Sequence, residues 1–126
     1  MTITDSGMSI SDMAAETGLT TSTLRYYEQE GLLLEQPDRA SSTHRRYVPS
    51  MATWLTFITK LRSTGMPIRD IRRYADLARQ GERTTPQRLA LLVEHRGHVL
   101  EQLAEVQRSL DAIDFKIATY ERFPTK

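Results

Sequence analysis

The chain has 126 residues, a length that fits one domain or one domain with an appended element. Its 17 Lys and Arg against 16 Asp and Glu leave a formal net charge of +1, which weighs against a uniformly basic nucleic-acid binder. There is no cysteine, so disulfides, thiolate catalysis, iron–sulfur clusters and cysteine-ligated zinc are excluded.

With 39% hydrophobic residues the sequence is not that of a disordered chain. No apolar run approaches the roughly 18 residues of a membrane span, and no basic-then-apolar leader is visible near Met1. A cytoplasmic protein with no membrane partner and no cofactor is expected.

In chain order, residues 1–8 are polar and predicted to be disordered. A first short helix is expected after Ser11 as its cap, ending before Gly18, and a second from about Thr21 to Gln29 after Thr20 as its cap. The Thr17-Gly18-Leu19-Thr20 connection between them has the length and the glycine of a helix-turn-helix, with Ile10, Met13, Leu19 and Leu24 spaced to pack the pair. Short extended pieces are expected at Leu32–Leu34 and His44–Tyr47, forming a small β-ribbon or wing around the loop-rich Gln36-Pro37-Asp38 and Ala40-Ser41-Ser42-Thr43. Ser50 is placed to cap a third helix running to about Ser63, with Trp54, Leu55, Ile58 and Leu61 on one face. A fourth, very basic helix follows Met66-Pro67 and runs from Ile68 to Gln80; Ile71, Ala75 and Ala78 are set for burial, and Arg69, Arg72, Arg73 and Arg79 for exposure.

Residues 81–85 read as a linker, with Thr85-Pro86 as the start of a long helix over 86–122 and a tail at 123–126. Within that helix Leu89, Arg96, Leu103, Leu110 and Ile117 alternate at 3,4 spacing with Leu92, Val99, Val106, Ile113 and Tyr120. Apolar residues at nine of these ten positions over four heptads are the pattern of a coiled coil. The chain offers no second long helix to cover this seam, so a homodimer is expected, and an antiparallel pairing fits.

The charges are not evenly spread. Residues 1–38 carry Arg25 against Asp5, Asp12, Glu16, Glu28, Glu30, Glu35 and Asp38. Residues 39–73 carry Arg39, Arg45, Arg46, Lys60, Arg62, Arg69, Arg72 and Arg73 against Asp70 alone. A clustered basic segment is what a phosphate-binding surface requires; a solvated helix face would show the same charges.

Several local patterns now coincide in order: Ile10-Ser11-Asp12-Met13-Ala14 with Thr17-Gly18-Leu19-Thr20; Thr23-Leu24-Arg25-Tyr26-Tyr27-Glu28 with Glu30-Gly31-Leu32-Leu33; Arg45-Arg46-Tyr47; and Gly65-Met66-Pro67-Ile68 with Ile71. Together they resemble the MerR family of transcription regulators over about 120 residues. Trp54, Phe57-Ile58, Arg79-Gln80-Gly81 and Ile113-Asp114-Phe115-Lys116-Ile117 are most similar to its aldehyde- and thiol-stress branch. The resemblance implies a mainly α fold: a winged helix-turn-helix domain with two wings over 9–80, then a long antiparallel coiled-coil dimerisation helix. It implies a dimeric, sequence-specific DNA reader on a symmetric operator. Such a regulator controls transcription by bending and untwisting promoter DNA, with RNA polymerase as a further partner.

The residues suited to double-stranded DNA are Thr20, Thr21, Ser22, Thr23, Arg25, Tyr26 and Tyr27 on and before the second helix, Arg39, Arg45, Arg46 and Tyr47 on the wing, and Arg62 and Arg69 near the second wing. Family members often carry Arg where this chain has Ser22, a shorter and less directional contact. One of Tyr26 and Tyr27 is expected to pack in the core. The related stress sensors carry a reactive cysteine at the position of Lys60, so a cysteine-independent signal is implied. A small-molecule effector, if there is one, would use a groove near Trp54, Phe57 and Lys60. His95 and His98 are three apart but have no carboxylate partner set, so no metal site is expected. A coiled-coil protein-interaction adaptor without specific DNA binding is the competing reading. No nucleophile–base pair, paired carboxylates or phosphate-cradling glycine loop points to an enzyme.

Overall fold

The computed structural model describes residues 7–35, 38–39 and 45–123, and of residues 38, 39, 45 and 46 the backbone alone. The elements are α1 (Ile10–Thr17), α2 (Thr21–Gln29), β1 (Asp38–Arg39), β2 (Arg45–Arg46), α3 (Met51–Ser63), α4 (Ile68–Arg79), a 3-10 turn at Glu82–Thr84, and α5 (Thr85–Arg122). The architecture is mainly α, a helix-turn-helix unit followed by one long helix.

The first two helices are defined by their caps. Ser9, not Ser11, starts α1: it has the extended backbone an N-cap needs, and its Oγ accepts from the Asp12 amide at 3.0 Å. Ser11 already lies inside the first turn, from which its hydroxyl cannot cap. Gly18 closes α1 with a φ of 76°, a conformation that costs a side-chain-bearing residue but not glycine. Thr20 caps α2 by accepting from the Thr23 amide at 3.0 Å. Ser50 precedes α3 but makes no side-chain cap bond; its backbone is already helical, and Met51 and Ala52 instead donate to the carbonyls of Val48 and Pro49.

The wing differs from the expected one. β1 and β2 pair antiparallel, with Asp38 opposite Arg46 and Arg39 opposite Arg45. Leu32–Leu34 form a bend instead of a strand, because the carbonyls of Leu32 and Leu33 are taken by Trp54 and Arg79 and not by a ladder. Met8, expected in a disordered terminus, is held in a bridge to Tyr47 by two 2.7 Å backbone bonds. The loop at 40–44, residues 1–6 and the tail at 124–126 lie outside the described residues.

The core of the first unit, which ends at Leu89, joins Met13 of α1 and Leu24 and Tyr27 of α2 to Leu55, Ile58 and Leu61 of α3 and Ile71 and Ala75 of α4, all buried. Leu32, Leu33 and Tyr47 enter the same core from the loops. Burying one such side chain stabilises by about 1.5–3 kcal/mol. Thr84, read from sequence as linker, is buried, and its hydroxyl donates to the Leu77 carbonyl at 2.6 Å. Arg88, in the first turns of α5, donates to the Gly81 carbonyl at 2.8 Å and to Thr84 Oγ1 at 3.1 Å. The second unit begins at Ala90 and continues α5, whose 38 residues correspond to about 57 Å of helix at 1.5 Å per residue.

Candidate nucleic-acid interface

Helix α2 has two sharply different faces. Leu24 and Tyr27 point inward and are buried. Ser22, Arg25 and Gln29 are exposed and Tyr26 is half-buried, and their spacing of three and four sets them on the opposite face. Gln29 is not among the DNA-facing residues expected from sequence. The signal was available: it lies four residues beyond Arg25 and seven beyond Ser22, and an amide can read a base edge.

The other hydroxyls at the start of α2 are partly committed. Thr20 Oγ1, besides capping the helix, donates to Thr23 Oγ1 at 3.0 Å. Thr21 and Thr23 are half-buried. Tyr27 does not belong to the exposed face: it is 1% exposed, and its hydroxyl pairs with Thr59 Oγ1 at 3.0 Å. Tyr47 is likewise fully buried, because the bridge to Met8 turns its side chain into the core. Both tyrosines therefore serve as scaffold for the face that carries Arg25 and Tyr26.

Helix α3 contributes Arg62 to that face. Its guanidinium lies 5.0 Å from the Tyr26 ring centroid and 5.7 Å from that of Tyr27, a cation–π arrangement that fixes an exposed arginine beside the outward tyrosine. On α4, Arg69 is exposed, with Asp70 a loose 3.8 Å away, and Arg73 is exposed as well. Arg72 and Arg79, expected to be exposed, are half-buried and exposed respectively, but both are tied to the turn after α2. Arg72 Nε donates to the Glu30 carbonyl at 2.8 Å, and Arg79 Nη2 donates to the Gly31 carbonyl at 2.6 Å. The side chains of Arg39, Arg45 and Arg46 lie outside the described residues; the backbone sets the three on the wing.

The residues named for an effector groove separate. Trp54 is part of the frame: its Nε1–H donates to the Leu32 carbonyl at 2.8 Å, and its ring stacks on Tyr74 at 5.7 Å and 9°. Phe57 and Lys60 line a shallow depression of about 450 Å³ together with Glu16, Ala52, Thr53 and Thr56. Among the described residues no group of three or more His, Cys, Asp or Glu is arranged to hold a metal.

On α5 the apolar positions of the heptad pattern lie largely in the open. Leu89, Leu103, Val106, Leu110, Ile113, Ile117 and Tyr120 are between 45% and 67% exposed, Arg96 is exposed, and Leu92 and Val99 are half-buried. Val93 and Leu100, beside the same stripe, are exposed too. A largely exposed apolar stripe of this length, interrupted by Arg96, is the kind of surface that partners cover. No helix among the described residues is long and apolar enough to cross a membrane.

Comparison with known proteins agrees with this geometry. The family model for MerR HTH family regulatory proteins matches residues 8–77, and the one described as MerR, DNA binding, matches residues 52–114. An uncharacterized HTH-type transcriptional regulator of Haemophilus influenzae is 35% identical over 109 residues, spanning 86% of this chain and 80% of its own. The crystal structure of HiNmlR, a MerR family regulator lacking the sensor domain and bound to promoter DNA, superposes with a TM-score of 0.78 at 33% identity, over 91% of this chain and 92% of that one. A MerR-family transcriptional regulator of Bacillus thuringiensis gives a TM-score of 0.76 at 31% identity, over 90% of this chain and all of that one. The helix-turn-helix match covers more than half of the sequence and coincides with the surface that presents Arg25, Tyr26 and Arg62: the chain belongs to the MerR family of helix-turn-helix transcriptional regulators.

Proposed function

We propose that this MerR-family regulator binds a two-fold symmetric promoter element as a homodimer paired through antiparallel α5 helices, and that it controls transcription by bending and untwisting the DNA. The observation that carries the reading is the outward face of α2. Ser22, Arg25 and Gln29 are exposed there beside the half-buried Tyr26, and Arg62 of α3 is stacked on Tyr26. A recognition helix needs this division: an apolar side that seats it and a polar side that reaches base edges and phosphates. The promoter DNA bound by HiNmlR supports the same assignment for a chain of the same fold.

In this reading Ser22, Arg25 and Gln29 face the major groove, with Thr20, Thr21 and Thr23 at the helix entrance. Tyr26, Arg62, Arg69 and the wing residues Arg39, Arg45 and Arg46 meet the phosphate backbone. Leu89, Leu92, Val99, Leu103, Val106, Leu110, Ile113, Ile117 and Tyr120, with Arg96 among them, form the dimer seam. Action on a promoter would be carried out in the cytoplasm, with RNA polymerase as the further partner. A small effector, where one acts, enters the depression at Phe57 and Lys60.

Footprinting on the promoter region of its own gene and of the neighbouring genes tests the proposal. The expected result is a protected symmetric element lying between the two promoter boxes, with hypersensitive cleavage near its centre where the DNA is distorted. An unprotected promoter, together with binding that does not distinguish operator from random duplex, would favour the adaptor reading.

A further inference from the structure

The turn that leaves α2 presents four consecutive backbone carbonyls, Glu30 to Leu33, and each of them accepts a side-chain donor from α3 or α4. Arg72 Nε donates to Glu30 at 2.8 Å, Arg79 Nη2 to Gly31 at 2.6 Å, and Trp54 Nε1 to Leu32 at 2.8 Å; Leu33 accepts from Arg79 Nε at 3.0 Å. The carbonyls just upstream are satisfied differently. Tyr26, Tyr27 and Glu28 accept from the backbone amides of Glu30, Leu32 and Gly31 as the helix closes through Gly31 at a φ of 76°. Past that point the chain can neither continue a helix nor join a ladder. Its carbonyls depend on side chains 22 to 48 residues away in sequence.

The two arginines are also neutralised where they stand. Arg72 Nη2 is paired with Glu30 Oε1, and Arg79 Nη1 with Asp76 Oδ1. All three guanidinium nitrogens of Arg79 thus have partners within the chain. An arginine so committed is poorly placed to neutralise a phosphate, although it lies beside a basic surface.

We propose that Arg79, acting with Arg72 and Trp54, is a positioning residue for DNA recognition. By holding the carbonyls of residues 30–33 it locks the recognition helix to the α3–α4 pair, so that Arg25 and Gln29 in the groove and Arg62 and Arg69 on the backbone meet DNA in one fixed register. This rests on the reading that both surfaces face DNA. Recognition groups must be held within about half an ångström of their working geometry, and a fork that joins two carbonyls is the side chain able to do so here. Arg79 Nη2 bridges the carbonyls of Gly31 and Leu33, while Nε adds a second bond to Leu33 and Nη1 is held by Asp76. Lysine keeps the charge and one donor nitrogen but loses the Nε and Nη1 bonds that fix it there.

The test is Arg79→Lys in the full chain, titrated against the footprinted operator and against random duplex at several salt concentrations. The loss of two charge-assisted bonds is expected to weaken operator binding about tenfold. Random-duplex binding and the salt slope stay unchanged, since no phosphate contact is removed. Trp54→Phe, which keeps the ring on Tyr74 but removes the donor at Leu32, moves the operator-to-random ratio in the same direction by a smaller factor. It serves also if the Arg79 variant fails to fold, as judged by circular dichroism. Operator affinity unchanged in both variants overturns the proposal. So does equal weakening on both DNAs with a shallower salt slope, which would make Arg79 a phosphate contact. A wild-type chain that protects no operator overturns this inference together with the function it rests on, whereas a wild-type footprint with an indifferent Arg79→Lys variant overturns this inference alone.

Discussion

Up to Leu89 most of the large apolar side chains are buried, Val48 and Leu89 excepted, and the polar backbone of the loops is tied by side chains; from Ala90 on, most of the apolar side chains of α5 are exposed. Leu55 is fully buried, whereas Val106 is 65% exposed. The first region meets its requirement for burial within one chain. The second cannot, because a single helix has no face to bury itself against. One region is a folded body and the other, in the proposed dimer, is half of an interface, so that identical residue types carry opposite energetic meaning in the two.

The sharpest way to break this contrast is a charge in the stripe. Leu103→Asp is expected to convert the dimer to monomers in sedimentation analysis. A carboxylate at the centre of a symmetric seam enters twice, and each copy costs several kcal/mol when left unpaired against apolar neighbours. A dimer that survives would place the interface elsewhere. Next comes a matched pair of truncations. Leu55→Ala should destabilise the folded chain by about 2–5 kcal/mol in urea denaturation. Val106→Ala should leave that unfolding little changed in dilute monomer and act instead on the dimer dissociation constant. Equal effects of the two changes on both measurements would erase the division between the regions.

A third prediction concerns the polar surface. Arg25→Ala should reduce operator affinity by about 1–3 kcal/mol, with helicity intact, because Arg25 is exposed on the outward face of α2 and has no part in the core. Unchanged affinity would remove Arg25 from the interface. The companion change Tyr27→Phe should lower thermal stability through its lost bond to Thr59 while leaving contacts to DNA in place.

How much of this was legible beforehand follows from the range of each interaction. The bounds of α2, the glycine at its exit and the long α5 depend on local signals: a capping threonine, an αL glycine, and a 3,4 apolar alternation sustained without proline. These are written in neighbouring residues. The roles of Arg72, Arg79 and Trp54 are not, because their acceptors lie 42, 46 and 22 residues away in sequence. An arginine on a basic helix reads as a solvated charge until its partner carbonyl is located. The same reason moved the wing. Leu32 and Leu33 have the composition of a strand, but their carbonyls were taken by distant donors, so the pairing fell at Asp38–Arg39 with Arg45–Arg46. Tyr26 and Tyr27, adjacent and identical, divided between surface and core because Tyr27 shares its face with Leu24 and Tyr26 does not.

The smallest expected effect separates two caps that look alike in sequence. Thr20 and Ser50 each stand immediately before a helix and each carries a hydroxyl. Thr20 has the extended backbone that lets Oγ1 reach back to the Thr23 amide at 3.0 Å, so Thr20→Ala should cost about 1 kcal/mol. Ser50 is already helical, with φ −64° and ψ −14°, and its hydroxyl makes no cap bond; Ser50→Ala should stay within about 0.5 kcal/mol of the parent. Thermal unfolding of the two variants side by side resolves the difference. A Thr20→Ala loss no larger than that of Ser50→Ala would mean that the α2 entrance draws its stability from packing of Leu24 and not from its cap. Thr20 would then be free to turn its hydroxyl toward DNA, and the entrance to the recognition helix would belong to the interface and not to the scaffold.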